Sequence, residues 1–193
     1  MSALERRQVV AELLRDRPAD LLVVTGLGSP SYDTMAAGDD DRNFYLWAAM
    51  GSAATVGLGL ALAQPDRRVL VVTGDGELLM GMGALATIGV KQPRNLTIAV
   101  LDNSRYGETG MQESHTAAGV RLEQVAKACG FPHVLRVSEM SGLGTVKAAI
   151  SARSGPTCAV IEIAAENPPR VLPPRDGVHL KNRFRAALGF PTL

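Results

Sequence analysis

The chain reads as an α/β protein, a doubly wound and mostly parallel sheet with helices on both faces, and three observations lead there. Short apolar runs recur at residues 21–24, 69–72, 96–101, 134–137 and 157–163, each bounded by Gly, Pro or Asp, and predict five strands. The middle runs, such as Val69-Leu70-Val71-Val72, lack the polar alternation of a half-exposed strand, as expected when helices cover both faces of a parallel sheet. Segments of helical character at 51–63, 77–92, 121–129 and 142–153 lie between the later runs, and crossovers of this length imply right-handed βαβ units.

In such an open sheet the ligand site lies at the carboxyl ends of the strands. Here those ends lead into residues 25–31, 74–76 and 102–110, which hold most of the unusual residues. Residues 2–14 mix charges with apolar side chains at helical spacing, and read as an amphipathic helix rather than a signal peptide. The apolar run 48–63 is interrupted by five Gly, Ser or Thr residues and falls short of the roughly 18 to 20 apolar residues of a membrane span, so it reads as a buried helix. Beyond the last strand, Asn167-Pro168-Pro169 and Pro173-Pro174 break regular structure before a basic helical stretch at 181–188. The expectation is one domain over residues 1–193 with a Pro-rich basic tail from about 167.

Bulk properties narrow the function. A length of 193 residues suits one core. With 46% hydrophobic and 20% charged residues the chain is too apolar for intrinsic disorder. A net charge of +1, from 20 basic against 19 acidic residues, provides no global field for nucleic acid or an anionic membrane, so neither is expected as a partner. Cys129 and Cys158 form no C-x-x-C spacing, which argues against a disulfide framework, zinc knuckle or iron–sulfur cluster and suits the cytoplasm.

Site chemistry centres on Gly74-Asp75-Gly76, placed directly after a strand and before a helix. The glycines permit tight turns and close ligand approach, the helix start attracts phosphate, and Asp75 is placed to hold a hard cation. Alone, the tripeptide is a common turn. However, the 26 residues from 77 to 102 comprise one helix and one strand, so Asp75 and Asn103 end adjacent strands. Two oxygen ligands from neighbouring strand ends, completed by diphosphate oxygens, water and a loop carbonyl, suit Mg2+.

This spacing, Gly74-Asp75-Gly76 followed by Asp102-Asn103, resembles the thiamine-diphosphate enzymes. The resemblance implies thiamine diphosphate and Mg2+ as cofactors, with Asp75, Asn103 and the carbonyl of Arg105 as metal ligands. Asp102 takes the place of the first Asn of the family pattern. Gly74 to Glu77 are implied at the diphosphate; Glu77 stands where the family often has Ser, and its carboxylate is expected to turn away from the phosphates. A second likeness is the loop and small-residue helix around Leu46-Trp47-Ala48-Ala49-Met50-Gly51. It implies Met50 as the wedge that bends the cofactor, with the carbonyl of Ala48 and amide of Met50 facing the aminopyrimidine. Without the metal motif, Met50 would read as a flexible core filler. Gly28 and Ser29 are candidates for the far end of the diphosphate, in a loop of a common type.

Within the family the chain is similar to decarboxylases of the sulfopyruvate and phosphonopyruvate type, through Gly74 to Met80, Leu101 to Gly110, and Lys181-Asn182-Arg183-Phe184. That implies the β subunit of a split 2-oxoacid decarboxylase. The family's activating Glu belongs to a pyrimidine-binding domain of similar size, for which one five-strand core leaves no residues. A separate α subunit, a hetero-oligomer and a small anionic 2-oxoacid substrate are therefore expected. His115, as a catalytic residue, and Tyr106 are substrate-side candidates, although a lone loop His is more often solvated. Arg105, Glu108 and Arg121 read equally as substrate contacts or surface charges. The alternatives are another split thiamine-diphosphate enzyme, a carboligase or 2-oxoacid oxidoreductase, or a non-catalytic phosphate- or nucleotide-binding α/β protein. The last lacks the G-x-G-x-x-G and G-x-x-x-x-G-K-[ST] signatures.

Overall fold

The computed structural model describes residues 3–191, so Ser2 of the predicted N-terminal helix lies outside it. Helix α1 (Arg6–Leu14) is capped by Glu5, whose carboxylate accepts from the amides of Arg7 and Gln8. The chain then forms β1 (Leu21–Thr25), α2 (Ser29–Ala36), β2 (Asn43–Tyr45), α3 (Ala53–Ala63), β3 (Arg68–Gly74), α4 (Asp75–Met80), α5 (Gly83–Lys91) and β4 (Leu96–Asp102). A small hairpin, β5 (Arg105–Tyr106) and β6 (Gln112–Glu113), precedes α6 (Leu122–Ala128), β7 (His133–Val137), α7 (Leu143–Ala152), β8 (Thr157–Glu162) and α8 (Gly177–Ala187).

Six strands make one parallel sheet in the order β2-β1-β3-β4-β8-β7. Alternate residues of each strand feed two separate cores. Leu22, Val24, Val69, Val71, Ile98 and Val100 pack on one face with Leu58 of α3 and Leu85 and Ile88 of α5. Leu21, Val23, Leu70, Val72 and Ala99 pack on the other with Val9, Val10 and Leu13 of α1 and Val146 of α7. Both faces are thus dry, the physical reason for the missing polar alternation.

The doubly wound fold class and all five predicted strands are observed, and four differences stand out. Residues 29–45, of which only 29–31 belong to the expected loop at 25–31 and the rest carry no assignment from sequence, contain α2 and the edge strand β2. The helix at 51–63 begins only at Ala53. The helix at 77–92 is two helices, because an ideal Cβ on Gly81, between them, would lie 1.8 Å from the Gly51 carbonyl oxygen; two backbones meet there. Residues 102–110 lead into a hairpin rather than a plain loop.

The basic tail helix begins earlier than position 181: Asp176 caps α8 by accepting from the amides of Val178 and His179. α8 covers the edge strand, with the rings of Phe184 and Phe44 edge-on at 5.4 Å and Arg183 paired with Asp39 at 2.7 Å. Between β8 and α8 the tail is pinned near the carboxyl end of the sheet. Trp47 Nε1 donates to the Pro174 carbonyl at 2.6 Å, and Arg7 donates to that of Pro169. Among the described residues no helix is long and apolar enough to cross a membrane.

Candidate functional site

β3 and β4 pair in register to their carboxyl ends, Gly74 opposite Leu101. Asp75, first residue of α4, and Asn103, first residue beyond β4, are therefore neighbours at the sheet edge. Asp75 is 2% exposed. Ser114 Oγ donates to its Oδ2, and Thr116 Oγ1 lies 3.2 Å from that oxygen and 2.8 Å from Asp102 Oδ1. Burial raises the Asp75 pKa above its usual value and the nearby Asp102 carboxylate adds to the rise, while the Ser114 and Thr116 hydroxyls oppose it. Among the described residues no cationic side chain is paired with this carboxylate. Two buried carboxylates held by hydroxyls and by backbone amides, Ser104 N–H donating to Asp102 Oδ1 at 3.0 Å, are a donor set that a hard divalent cation would complete.

Asn103 Oδ1 accepts from the Arg105 amide at 2.9 Å, closing a tight turn in which Ser104 takes φ of 56°. That turn brings Arg105 back beside the strand end. The Arg105 side chain pairs with Glu113 across the hairpin at 3.0 Å, so its guanidinium already has a partner. Among the described residues no group of three or more His, Cys, Asp or Glu side chains is placed to hold a metal ion. A cation here would need further oxygens beyond these side chains, of the kind a diphosphate supplies.

Asp75, Gly74, Gly76, Glu77 and Asn103 line one cavity together with Ser29, Met50, Arg105, Tyr106 and Glu108. Residues predicted from four separate stretches are thus brought together. Gly28 caps α2 beside Ser29 with φ of 81°, and its Cα hydrogen faces the Glu108 side chain, where a Cβ would be 2.8 Å from Glu108 Cγ. Met50 is 36% exposed, so it is not a core filler but sits at the cavity's edge. Ala48 is exposed in the same loop and outside the lining. His115 is also exposed and outside the lining; its Nδ1 lies 3.4 Å from the Oη of Tyr106, which does line the cavity. Arg121 pairs with Glu123 at 2.8 Å on the surface of α6, the surface-charge reading.

The Glu77 carboxylate is turned into the protein. It accepts from the Ala53 amide at 3.2 Å and from the Thr73 hydroxyl, tying the start of α3 to the end of β3. Its tip fills the space above Gly26, where a Cβ would come within 1.7 Å. Burial raises the Glu77 pKa, against the Thr73 and Ala53 hydrogen bonds, so the charged form costs stability. The sign follows: stability from the neutral carboxyl is present below the usual value of 4.5 and is lost as pH rises through the raised one. Glu77→Gln keeps the size and an acceptor, and its urea midpoint is expected to fall less than wild type's between pH 4 and 8. Equal slopes would show that Glu77 does not titrate in that way.

Two groups in the site gave no sequence signal or were passed over. Ser114 and Thr116 reach Asp75 only because the hairpin folds back. Arg6 had a signal: it lies on the same face of α1 as the buried Val9, Val10 and Leu13, and it lines the cavity at 4% exposure. A charge on an apolar stripe is costly without a partner, and marks a position worth asking about.

The cavity holds about 70 Å³, well below the roughly 300 Å³ or more that encloses a small-molecule cofactor. The chain is 36% identical over 185 residues to sulfopyruvate decarboxylase subunit beta of Methanococcus maripaludis, a match covering 94% of this chain and 97% of that one. It is 40% identical over 196 residues to phosphonopyruvate decarboxylase of Streptomyces viridochromogenes, covering 99% of this chain but 46% of that protein, about half its length. The fold is shared with thiamine diphosphate-dependent 4-hydroxybenzoylformate decarboxylase of Rhodococcus jostii RHA1, with a TM-score of 0.70 at 20% identity over 86% of this chain and 34% of that one. Residues 38–163 match the family described as thiamine pyrophosphate enzyme, C-terminal TPP binding domain, and to that family this chain belongs.

Proposed function

We propose that this chain is the cofactor-binding β subunit of a split, thiamine-diphosphate-dependent 2-oxoacid decarboxylase of the sulfopyruvate or phosphonopyruvate type, acting in the cytoplasm. The observation that carries the proposal is one of extent. The chain matches nearly all of a protein named as a β subunit and about half the length of a protein named phosphonopyruvate decarboxylase. An open cavity on this chain fits the same division of labour, because the missing wall then belongs to a separate α subunit.

In this reading Asp75, Asn103 and the Arg105 carbonyl hold Mg2+, and Gly74 to Gly76 receive the diphosphate at the start of α4. Gly28 and Ser29 meet the far end of the diphosphate. Glu77 acts indirectly, by holding β3 against α3. Met50, with the backbone of Ala48, supports the cofactor's rings at the mouth. Bound thiamine diphosphate supplies the electron sink that accepts the pair left by the departing carboxylate. Tyr106 faces the substrate, and His115 at its hydroxyl moves a proton on the open side. Met50, Met80 and Met82, exposed by 36%, 62% and 40%, surround the contact between Gly51 and Gly81 and offer an apolar rim to the α subunit.

The test is CO2 release from sulfopyruvate, phosphonopyruvate and pyruvate at saturating thiamine diphosphate and Mg2+. The chain alone is expected to release none above background, and addition of a pyrimidine-domain subunit should restore release from an anionic-headed acid in preference to pyruvate. Full-rate turnover by the chain alone would overturn the split enzyme. Carboligation products in place of free aldehyde would overturn the decarboxylase reading.

A further inference from the structure

Arg6 belongs to no part of the metal clamp, yet its side chain is buried against the cavity. Its Nη1 donates to Ser29 Oγ at 2.5 Å, and its Nε lies 2.9 Å from Asp33 Oδ2. Asp33 is fully buried and also meets Arg7, whose Nε is 3.2 Å from Oδ1. One carboxylate thus stands between two guanidinium groups, leaving an excess positive charge. Arg7, 25% exposed, disperses its share outward towards the tail, where it donates to Pro169. Arg6 faces the cavity, and a buried charge of this kind is held at a cost unless an anion completes it.

A second observation points the same way. Helix α2 starts at this wall with Gly28 as its cap; Pro30 carries no N–H and the Ser31 and Tyr32 amides bond to the Gly28 carbonyl, so it is the positive dipole end of the helix that lies beside Arg6, through Ser29. Asp75 lines the same cavity, and its carboxylate repels an anion until a cation lies between them. The cavity lining thus carries a carboxylate suited to a metal, Asp75, and a buried cation suited to an anion, Arg6, while the Glu108 carboxylate beside Gly28 is engaged by Arg170 at 3.0 Å.

We propose that Arg6 is the residue by which this chain distinguishes a diphosphate from a monophosphate, gripping the phosphate that the metal does not fully neutralise. This rests on the thiamine-diphosphate reading above. The anion concerned is the cofactor's rather than the substrate's because Arg6, buried like Leu101 and Ile163, lines the cavity together with Gly74 and Gly76. The substrate approaches from the mouth, beside exposed Met50. A planar guanidinium, already oriented by Asp33 and Ser29, presents its remaining donors to phosphate oxygens with little further ordering.

Calorimetry with Mg2+ and either thiamine diphosphate or thiamine monophosphate tests this, on wild type and Arg6→Gln, with the partner subunit added where the chain alone does not bind. The readout is the ratio of the two dissociation constants, which a loss of stability alone does not move. Arg6→Gln is expected to lower the preference for diphosphate by about 10- to 100-fold, the range for a charge-assisted hydrogen bond, with little change for monophosphate. An unchanged ratio overturns the proposal. If Arg6→Gln does not fold, Arg6→Lys decides, because it keeps the ion pair with Asp33 but not the planar fork; an unchanged ratio there is equally fatal. Wild type that binds neither compound under any of these conditions overturns the cofactor reading itself, and the two failures are thereby told apart.

Discussion

Replacing Asp75 by Asn is expected to stabilise the ligand-free protein while abolishing cofactor binding. The carboxylate is 2% exposed, its pKa is raised chiefly by burial, and the nearest charge acting on it is another carboxylate, Asp102. A group whose folded pKa is raised costs stability in its charged form. The cost is absent below the usual value of 3.8, and is fully present once pH exceeds the raised one. Asn keeps an acceptor for the Ser114 hydroxyl and removes the charge. At neutral pH the melting temperature of the ligand-free variant is expected to rise by about 2–4 °C, the shift that 1 kcal/mol produces at this chain length. Affinity for thiamine diphosphate in Mg2+ should fall by about 100-fold or more, since even residues behind a metal's ligands carry 10- to 100-fold. Opposite signs for stability and binding are what a group kept for function should give. A variant that is less stable at neutral pH, or that binds as wild type does, would remove Asp75 from the metal clamp.

A second large effect is expected at Gly81, far from any ligand atom. A Cβ there would meet the Gly51 carbonyl oxygen at 1.8 Å and the Gly51 carbonyl carbon at 2.6 Å, both backbone atoms that no rotamer change can move. Gly51 in turn has φ of 92°, and its own Cβ would lie 2.8 Å from the Gly81 nitrogen. The two glycines let the end of α4, which begins at Asp75, touch the loop that presents Met50. Gly81→Ala is expected to cost about 3 kcal/mol in urea unfolding, at the upper end for overpacking, because backbone has to shift. It should also weaken thiamine diphosphate binding by separating the metal wall from the Met50 wall. Gly59→Ala is the contrast. Nothing lies within 4 Å of a Cβ at Gly59, which is inside α3, so that change is expected to stabilise by about 0.5–1 kcal/mol. If both substitutions have similar small effects, the close contact between residues 51 and 81 is not a constraint on the site.

The parts of the molecule that the sequence makes legible share a physical origin in local pattern. Five strands show as apolar runs because both of their faces are dry, and the helices α3, α6 and α7 show through their spacing and length. Asp75 and Asn103 are found from sequence because one helix plus one strand is the natural length of a crossover, and that length forces their strands to be neighbours. Met50 is found because it precedes a glycine whose backbone conformation is left-handed, here with φ of 92°.

What stays hidden depends on partners distant in the chain. The start of α2 falls in the loop expected at 25–31, and Ser29-Pro30-Ser31-Tyr32-Asp33-Thr34 is polar and begins near a proline, yet Asp33 and Ser31 are fully buried, Asp33 ion-paired with Arg6 and Arg7 and Ser31 bonded to Thr25 and Gly26. β2 has three residues, too few for periodicity, and is held by β1 on one side and α8 over its end. The inward turn of Glu77 and the exposed position of His115 are likewise products of packing.

By itself, then, the sequence determines a parallel doubly wound sheet and the pair of strand ends that can hold a metal and a diphosphate, because crossover length and two-sided burial are local properties of the chain. Only the tertiary structure decides that Ser114 and Thr116 steady Asp75, that the Glu77 carboxylate turns inward to Ala53 and Thr73, and that Arg6 enters the cavity from α1. Each of these depends on two charges or polar groups, many residues apart, being buried within hydrogen-bonding distance, and no spacing in the chain encodes that distance.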